Sequence, residues 1–417
     1  MYKRLTSPGF GSIMAMIGPI AVAGSHFAVS AALIPNASPE AFGTFAFAMV
    51  VMQVVTGISD GIIGSPMAVI TREGGSSNIN IFRSVNLLYC AVAFFLTWVT
   101  LCTFVNFPTA TLLSLFISIM AYRWFWRAVL FQQGRKVQAW IADTIYSAVV
   151  MVLLLSLLIG DVIYLWTVAV CLLASAIVTT PVFLSTRETL QPAVFLTSLR
   201  CFKSIWLKHS RWSLLGVGAN ALAIEAHVFV VSFIAGPEAF APVAIAALLY
   251  RPTLIGIYSI AQIERPRISK VMQLEGIPAA VRETRAFTVV LSVLWLCNSL
   301  AAAAAIYGGN HLIRETYDVA LVTKCALLLG AVMLLRSARH PLLVLLQAMH
   351  QFRAIAYVTA GVAPLSIGFT AIGLHFGDLP GSILGLLIAD IVLSIAVYTL
   401  FRRQHASPPL MREPGLR

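Results

Sequence analysis

The sequence predicts an all-α integral membrane protein with twelve transmembrane helices in two six-helix lobes. Three observations predict it. The first is composition: of 417 residues, AVILMFWYC make up 59% and DEKR only 11%, against roughly 45–50% and about 25% in soluble domains. The second is a succession of twelve apolar stretches, each near or above the ~20 residues that cross a bilayer. The third is a short motif that recurs at the same topological point of each half. Too few charges remain to cover a water-facing surface, which excludes a soluble enzyme, a disordered chain and a nucleic-acid binder. A net charge of +12 therefore reports orientation in a membrane and no polyanionic partner.

The stretches run 12–34, 42–68, 83–105, 109–131, 138–159, 163–184, 212–235, 239–263, 286–306, 319–348, 355–376 and 382–401. Lys3 and Arg4 precede the first. That stretch is longer than the ~7–15 apolar residues of a signal peptide, so it is read as an uncleaved span. The second and tenth exceed the length needed and are expected to tilt or kink. Asp60, with Gly61 and Gly64-Ser65-Pro66, marks a bend at the inner end of the second. The six cysteines form no CxxC pair and no His stands at metal-ligand spacing, so neither a disulfide framework nor a zinc site is expected.

The spans divide the chain into an N-lobe (1–184), a linker (185–211), a C-lobe (212–401) and a tail (402–417). After Pro192 the linker places Phe195, Leu199, Phe202 and Trp206 at helical spacing, with Arg200, Lys203 and Lys208 off that stripe. This predicts an amphipathic helix lying on the inner leaflet and bridging the lobes; the alternative is a solvated basic linker. A second basic loop is expected at 264–285.

Charge fixes the orientation. With both termini inside, the inner segments hold twenty-one of the Lys and Arg residues and the outer loops hold Arg314 alone, as the positive-inside rule requires. The repeat supports two halves of like orientation. Pro39-Glu40-Ala41-Phe42 follows span one, and Pro237-Glu238-Ala239-Phe240 follows span seven. Six spans per half relate the copies by an axis along the membrane normal.

Six cations, Arg123, Arg127, Arg251, Lys324, Arg336 and Arg339, lie within spans beside Asp60, Asp143, Glu225 and Asp390. Each costs about 2.5–3.5 kcal/mol at a helix centre, so such groups face a polar interior. Arg251 is followed by Pro252, and a mid-span proline frees a backbone carbonyl that only protein or water can satisfy. Charge and broken helix at one depth point to a hydrated cavity. Arg251 either faces a ligand there or pairs with Glu225. Glu225, with His227 and His26 near mid-depth, is either a proton carrier or a fixed counter-ion. Arg336 and Arg339 share a face at i, i+3 and Arg123 and Arg127 at i, i+4. Both pairs have bland readings as well: Arg127 neutralising Asp143, and Arg336 and Arg339 reaching inner headgroups. Lys324 is expected to snorkel outward, and Asp390 and His26 to be hydrogen-bonded core.

The stretch Phe42-Gly43-Thr44-Phe45-Ala46-Phe47-Ala48, the Arg127-Ala128-Val129-Leu130-Phe131 end of span four, and Gly236-Pro237-Glu238-Ala239-Phe240 leading to Arg251-Pro252 carry a resemblance. They are similar to the polysaccharide-biosynthesis (O-antigen and exopolysaccharide flippase) branch of the multidrug/oligosaccharidyl-lipid/polysaccharide exporter superfamily, diffusely over roughly residues 10–400. The resemblance implies two six-helix lobes around a central cavity, in a bacterial inner membrane with both termini cytoplasmic. It implies a flippase, not an enzyme, moving an undecaprenyl-diphosphate-linked oligosaccharide to the periplasmic leaflet. Membrane lipids and other polysaccharide-assembly proteins are the expected partners, with no cofactor beyond H⁺ or Na⁺ coupling. In related flippases arginines of the first, second and eighth helices line the cavity. Arg251 matches the eighth; the first offers only His26 and the second no cation, so Arg123, Arg127, Arg336 and Arg339 are the candidates for the remaining diphosphate ligands. Glu225, His227 and Asp60 are the candidates for coupling or counter-ions.

Two other classes compete. A cation-coupled multidrug exporter of the same superfamily wants acids in its cavity, against the positive surplus here. A membrane enzyme of polysaccharide assembly wants a sizeable outer loop, and the longest outer connection, 307–318, offers only Glu315 and Asp318.

Overall fold

The computed structural model describes residues 8–67, 70, 79–183, 192–308, 316–349 and 351–406. Lys3, Arg4, Arg72, Arg187, Arg314, Glu315, Arg412 and Arg417 lie outside the described residues. The described chain is all helical. In order it forms α1 (Pro8–Asn36), α2 (Pro39–Ser59), α3 (Ile79–Leu101), α4 (Phe107–Gln132), α5 (Lys136–Ile159), α6 (Leu165–Phe183), α7 (Pro192–Ile205), α8 (Arg211–Ile234), α9 (Gly236–Glu275), α10 (Ile277–Gly308), α11 (Val319–Ala348) and α12 (Phe352–Ala406). Among the described residues, eleven helices are long and apolar enough to cross a membrane. The predicted twelve spans reconcile with this number because α12 holds two of them. Its backbone leaves helical geometry at Gly377 and Asp378, where Asp378 takes φ 52°. Gly373, Gly381 and Gly385 let the two halves run back to back, since a Cβ on any of them would strike the opposite backbone.

Local chemistry sets the helix starts. Ser38 accepts from the Ala41 amide at 3.2 Å and Asn106 from the Thr109 amide at 3.1 Å, each satisfying an orphan donor of the first turn. A proline follows within two residues in both cases, where its missing N–H costs nothing.

Two sequence expectations need correction. The basic loop at 264–285 is helical: α9 runs to Glu275 and α10 restarts at Ile277. Ile268 and Ala280 are buried there, packed with Met272 and Val281. Gly276, at φ 84°, makes the turn, a left-handed position that glycine occupies without strain. Arg267 holds the two arms together, 3.2 Å from Glu264 and 2.6 Å from Glu283. The linker helix forms as α7, but its stripe packs on protein. Phe202 is buried against Phe82 of α3, with Leu199, Ile205 and Trp206 in the same cluster. The sequence alone points this stripe at a lipid surface; a hydrophobic face finds the same gain against Ile63, Met67, Ile79 and Phe82.

The bend expected at Asp60 is a π-helical turn, Asp60–Gly64, continuing α2. A second one, Trp206–Ser210, joins α7 to α8. The two are tied together, the Ser210 hydroxyl donating to the Ile62 carbonyl at 2.8 Å. A π-turn leaves backbone carbonyls out of register with their usual donors, and a side-chain hydroxyl from a neighbour is one way to satisfy them.

The chain resolves into two compact units: Met1–Ala221 with Val228–Leu248 and His311–Asp318, and Leu222–His227 with Leu249–Asn310 and Val319–Arg417. In the first unit the two repeat turns meet. Gly43 of α2 lies against the Pro237 carbonyl, and a Cβ there would collide with it while standing 3.4 Å from the Ala241 amide. Phe47 packs edge-on to Phe104, Phe229 and Phe233 beside this contact. In the second unit, a mid-section of α8 is held through its carbonyls. Ser366 of α12 donates to Ala223 O at 2.8 Å and Arg336 of α11 to Ile224 O at 3.2 Å.

Candidate functional site

Each unit buries a cluster in which two arginines share one aspartate. In the first unit, Arg123 and Arg127 stand one turn apart on α4, on the same face. Arg127 Nε donates to Asp143 Oδ2 of α5 at 3.0 Å. Arg123 Nη2 lies 3.9 Å from Oδ1 and 3.5 Å from the Ala142 carbonyl. Its guanidinium sits 4.3 Å from the centre of the Tyr146 ring, a cation–π contact strengthened by exclusion of water. Gly18 of α1 makes room for the carboxylate: a Cβ would come within 2.6 Å of Asp143 Oδ2. One turn along α5, the Tyr146 hydroxyl and His26 Nε2 share a hydrogen bond of 2.8 Å. His26 is thus a satisfied core histidine.

In the second unit, Arg336 of α11 places Nε 3.0 Å and Nη2 2.9 Å from Asp390 Oδ2. Arg339 places Nη2 2.7 Å from Oδ1. It also donates through Nη1 to the Asp390 carbonyl at 3.1 Å and to Ser394 Oγ at 3.2 Å. Both arginine side chains are nearly closed off, 7% and 6% exposed. Charge-assisted bonds thus reach both oxygens of the carboxylate, the stronger kind of hydrogen bond.

The remaining groups gather around Arg336. Its Nη2 bonds the Ile224 carbonyl, which brings it beside Glu225. Arg336, and after it Arg251, are the charges that act on the Glu225 carboxylate. His227, 4% exposed, lies within the field of Arg336 and Asp390. Arg251 and Glu225 act on each other electrostatically, yet Arg251 makes no ion pair among the described residues. Both are partly accessible, in contrast with the closed Asp390 cluster. At Pro252, α9 continues without a break, and Asn298 Nδ2 of α10 donates to Leu249 O at 3.0 Å, one residue past the Leu248 carbonyl that the proline frees.

The structure therefore brings together Glu225, His227, Arg251, Arg336 and Arg339, and separately Arg123 and Arg127. It does not bring Asp60 to either cluster. That residue is exposed and opens the π-turn of α2, its carboxylate lying over Gly64. Lys324 is exposed on α11. Sequence reasoning missed Asn298, Tyr146 and the service of Asp390 to both Arg336 and Arg339. The signal for the last was present: an in-span acid had to meet an in-span base.

No protein-family model matches the chain, and no curated protein matches it. Solved structures do. An inward-facing multidrug resistance MATE family transporter of the MOP superfamily is 15% identical, with TM-score 0.66 over 94% of this chain and 98% of that one. An outward-facing multidrug resistance MATE family transporter of the same superfamily is 14% identical, with TM-score 0.65 over 95% of this chain and 96% of that one. A MATE in its straight conformation is 15% identical, with TM-score 0.64 over 94% of each chain. The likeness spans nearly the whole of both partners, and the fold of this chain is the all-helical, multi-pass fold of those transporters.

Proposed function

We propose that this chain is an inner-membrane transporter, with both termini cytoplasmic, that carries a lipid-linked glycan with a diphosphate headgroup across the bilayer by alternating access. The observation that supports this cargo is Arg251. Four of the five in-span arginines described above are committed two to one on aspartates, leaving each cluster cationic. Arg251, at a proline in mid-span and partly accessible, makes no ion pair among the described residues. A diphosphate is a compact polyanion that a guanidinium binds bidentately, and low water content strengthens the attraction. Arg251 is the first ligand in this reading. Arg336, whose Nη2 reaches past Asp390 to the α8 backbone, is the second source of positive field. Arg123, Arg127 and Arg339 add charge at longer range. N- and C-lobes at 1–184 and 212–401 rocking about the held headgroup would alternate its access.

A second reading has its own support. The solved structures of like fold are multidrug transporters, and Glu225 is a partly accessible intramembrane carboxylate of the kind that carries protons or attracts cationic cargo. In this reading the chain is a cation-coupled multidrug exporter.

One experiment separates them. A strain lacking the chain is analysed by mass spectrometry of its undecaprenyl-diphosphate pool, with sidedness tested in spheroplasts, and is complemented with Arg251→Ala or Glu225→Gln. For the glycan carrier, completed units accumulate on the inner leaflet, Arg251→Ala fails to clear them and Glu225→Gln still binds cargo. A normal, correctly translocated pool together with drug sensitivity that Glu225→Gln cannot rescue refutes the carrier and supports the exporter.

A further inference from the structure

Helix α10 is the least buried of the long apolar helices among the described residues, and one of its faces is exposed. On that face runs a groove of about 470 Å³ lined by Arg285, Thr288, Val289, Ser292, Val293 and Leu296. The spacing is i, i+3/i+4, i+7/i+8, i+11, a single stripe along the helix. Val289, Val293 and Leu296 are more than half exposed, while the Thr288 hydroxyl is turned back to the Thr284 carbonyl at 2.9 Å. The groove thus offers hydrocarbon along its length and guanidinium at one end.

Its dimensions match one leaflet. From Arg285 to Leu296 the helix rises about 16 Å at 1.5 Å per residue, and half of a ~30 Å hydrocarbon core is about 15 Å. The basic end belongs at the inner surface by the distribution of Lys and Arg. One turn before Arg285 stands Arg282, also exposed. Neither arginine makes an ion pair among the described residues, whereas nearby Arg267 is held by Glu264 and Glu283.

We propose that this groove binds one anionic phospholipid of the inner leaflet, its phosphate on Arg282 and Arg285 and an acyl chain along Val289, Val293 and Leu296. The charge complementarity selects an anionic headgroup, and the leaflet-length apolar stripe selects a chain anchored at that level. The site stands apart from the proposed cargo and does not depend on it.

The full chain, purified in detergent, is titrated with phosphatidylglycerol and with phosphatidylcholine of the same acyl chains and read by native mass spectrometry. At about a factor of five per basic residue near a phosphate surface, two arginines give a preference of about thirty-fold for phosphatidylglycerol. Arg282→Gln with Arg285→Gln brings the preference to about one. Val293→Trp, which fills the groove and leaves both charges, lowers retention of the lipid itself; its side chain is lipid-facing, so folding does not hinge on it. Equal retention of the two lipids overturns the proposal. So does an unchanged preference in the double variant, or stronger retention of a polyprenyl phosphate than of phosphatidylglycerol. Each readout is of binding alone, so failure here leaves the transport reading to its own test.

Discussion

Asp390→Ala is the sharpest test of how the second unit is held together. The carboxylate receives contacts from two guanidiniums at 2.7–3.0 Å, and the three side chains are 5–7% exposed. Removing one partner of a buried ion pair costs about 3–5 kcal/mol, because the charge left behind has neither water nor counter-ion. Here two cations are left, one turn apart, so the loss belongs at the upper end, about 5 kcal/mol. Asp143→Ala provides the internal comparison. Its one close contact is Arg127, which is 14% exposed, and Arg123 stands off at 3.9 Å on the face of Tyr146. Arg127 keeps a route to water and Arg123 keeps its aromatic partner, so the loss is at the lower end, about 3 kcal/mol. Thermal unfolding in detergent, followed by fluorescence-detected size-exclusion chromatography, ranks the variants. A third variant, Asp390→Leu with Arg336→Met and Arg339→Met, removes all three charges of the triad and should recover most of the lost stability. The reasoning fails if Asp390→Ala unfolds no earlier than Asp143→Ala, or if the triple variant is no better than Asp390→Ala.

Gly43→Leu drives a side chain into the Pro237 carbonyl; overpacking of this kind costs about 1–3 kcal/mol, read as an earlier unfolding midpoint, while Gly57→Ala, whose Cβ meets Val217 at an ordinary 3.7 Å, should leave it unchanged. Asn298→Leu removes the donor to Leu249 O beside Pro252. Losing this bond costs about 0.5–1.5 kcal/mol net, and faster amide exchange in α9 around residues 249–253 is the direct measurement. An exchange pattern identical to the unsubstituted protein would mean that this bond does not hold α9 at that point.

Most of the fold was legible because bilayer physics leaves few choices. A run of ~20 apolar residues that must satisfy its own backbone becomes a helix, and the run at 319–348 matches α11 end to end. What escaped were the places where helices stop for reasons other than apolarity. The 264–285 segment is basic and polar, so hydropathy ends the spans there, but its Ile268 and Ala280 join one buried apolar cluster from either side of Gly276 and the helices continue. The linker stripe was legible as amphipathic, yet periodicity cannot distinguish a lipid surface from the apolar flank of α3. The candidate charges were found by composition alone. Their pairings were not, since Arg336 and Asp390 lie 54 positions apart and nothing local in either stretch records the crossing.

The two arginine clusters also change how the positive surplus should be weighed. Counted from sequence, six in-span cations against four acids look like one diffuse electropositive cavity. In the structure the count separates into parts with different duties. Arg123 with Arg127, and Arg336 with Arg339, are each neutralised by half on one aspartate, and at the closed Asp390 site a cargo headgroup would have to displace the aspartate to bind. Such displacement would expose a buried carboxylate to two fewer donors, which is the same several-kcal/mol loss worked out for breaking the pair. Lys324 is exposed and Asp60 stands with a π-turn of α2. What remains is Arg251 and Glu225, opposite charges on adjacent helices, both reachable and not closed into an ion pair among the described residues. In the transport readings proposed above, this pair is where a transported charge would be exchanged at low cost. An anion competes with Glu225 for Arg251, and a cation competes with Arg251 for Glu225.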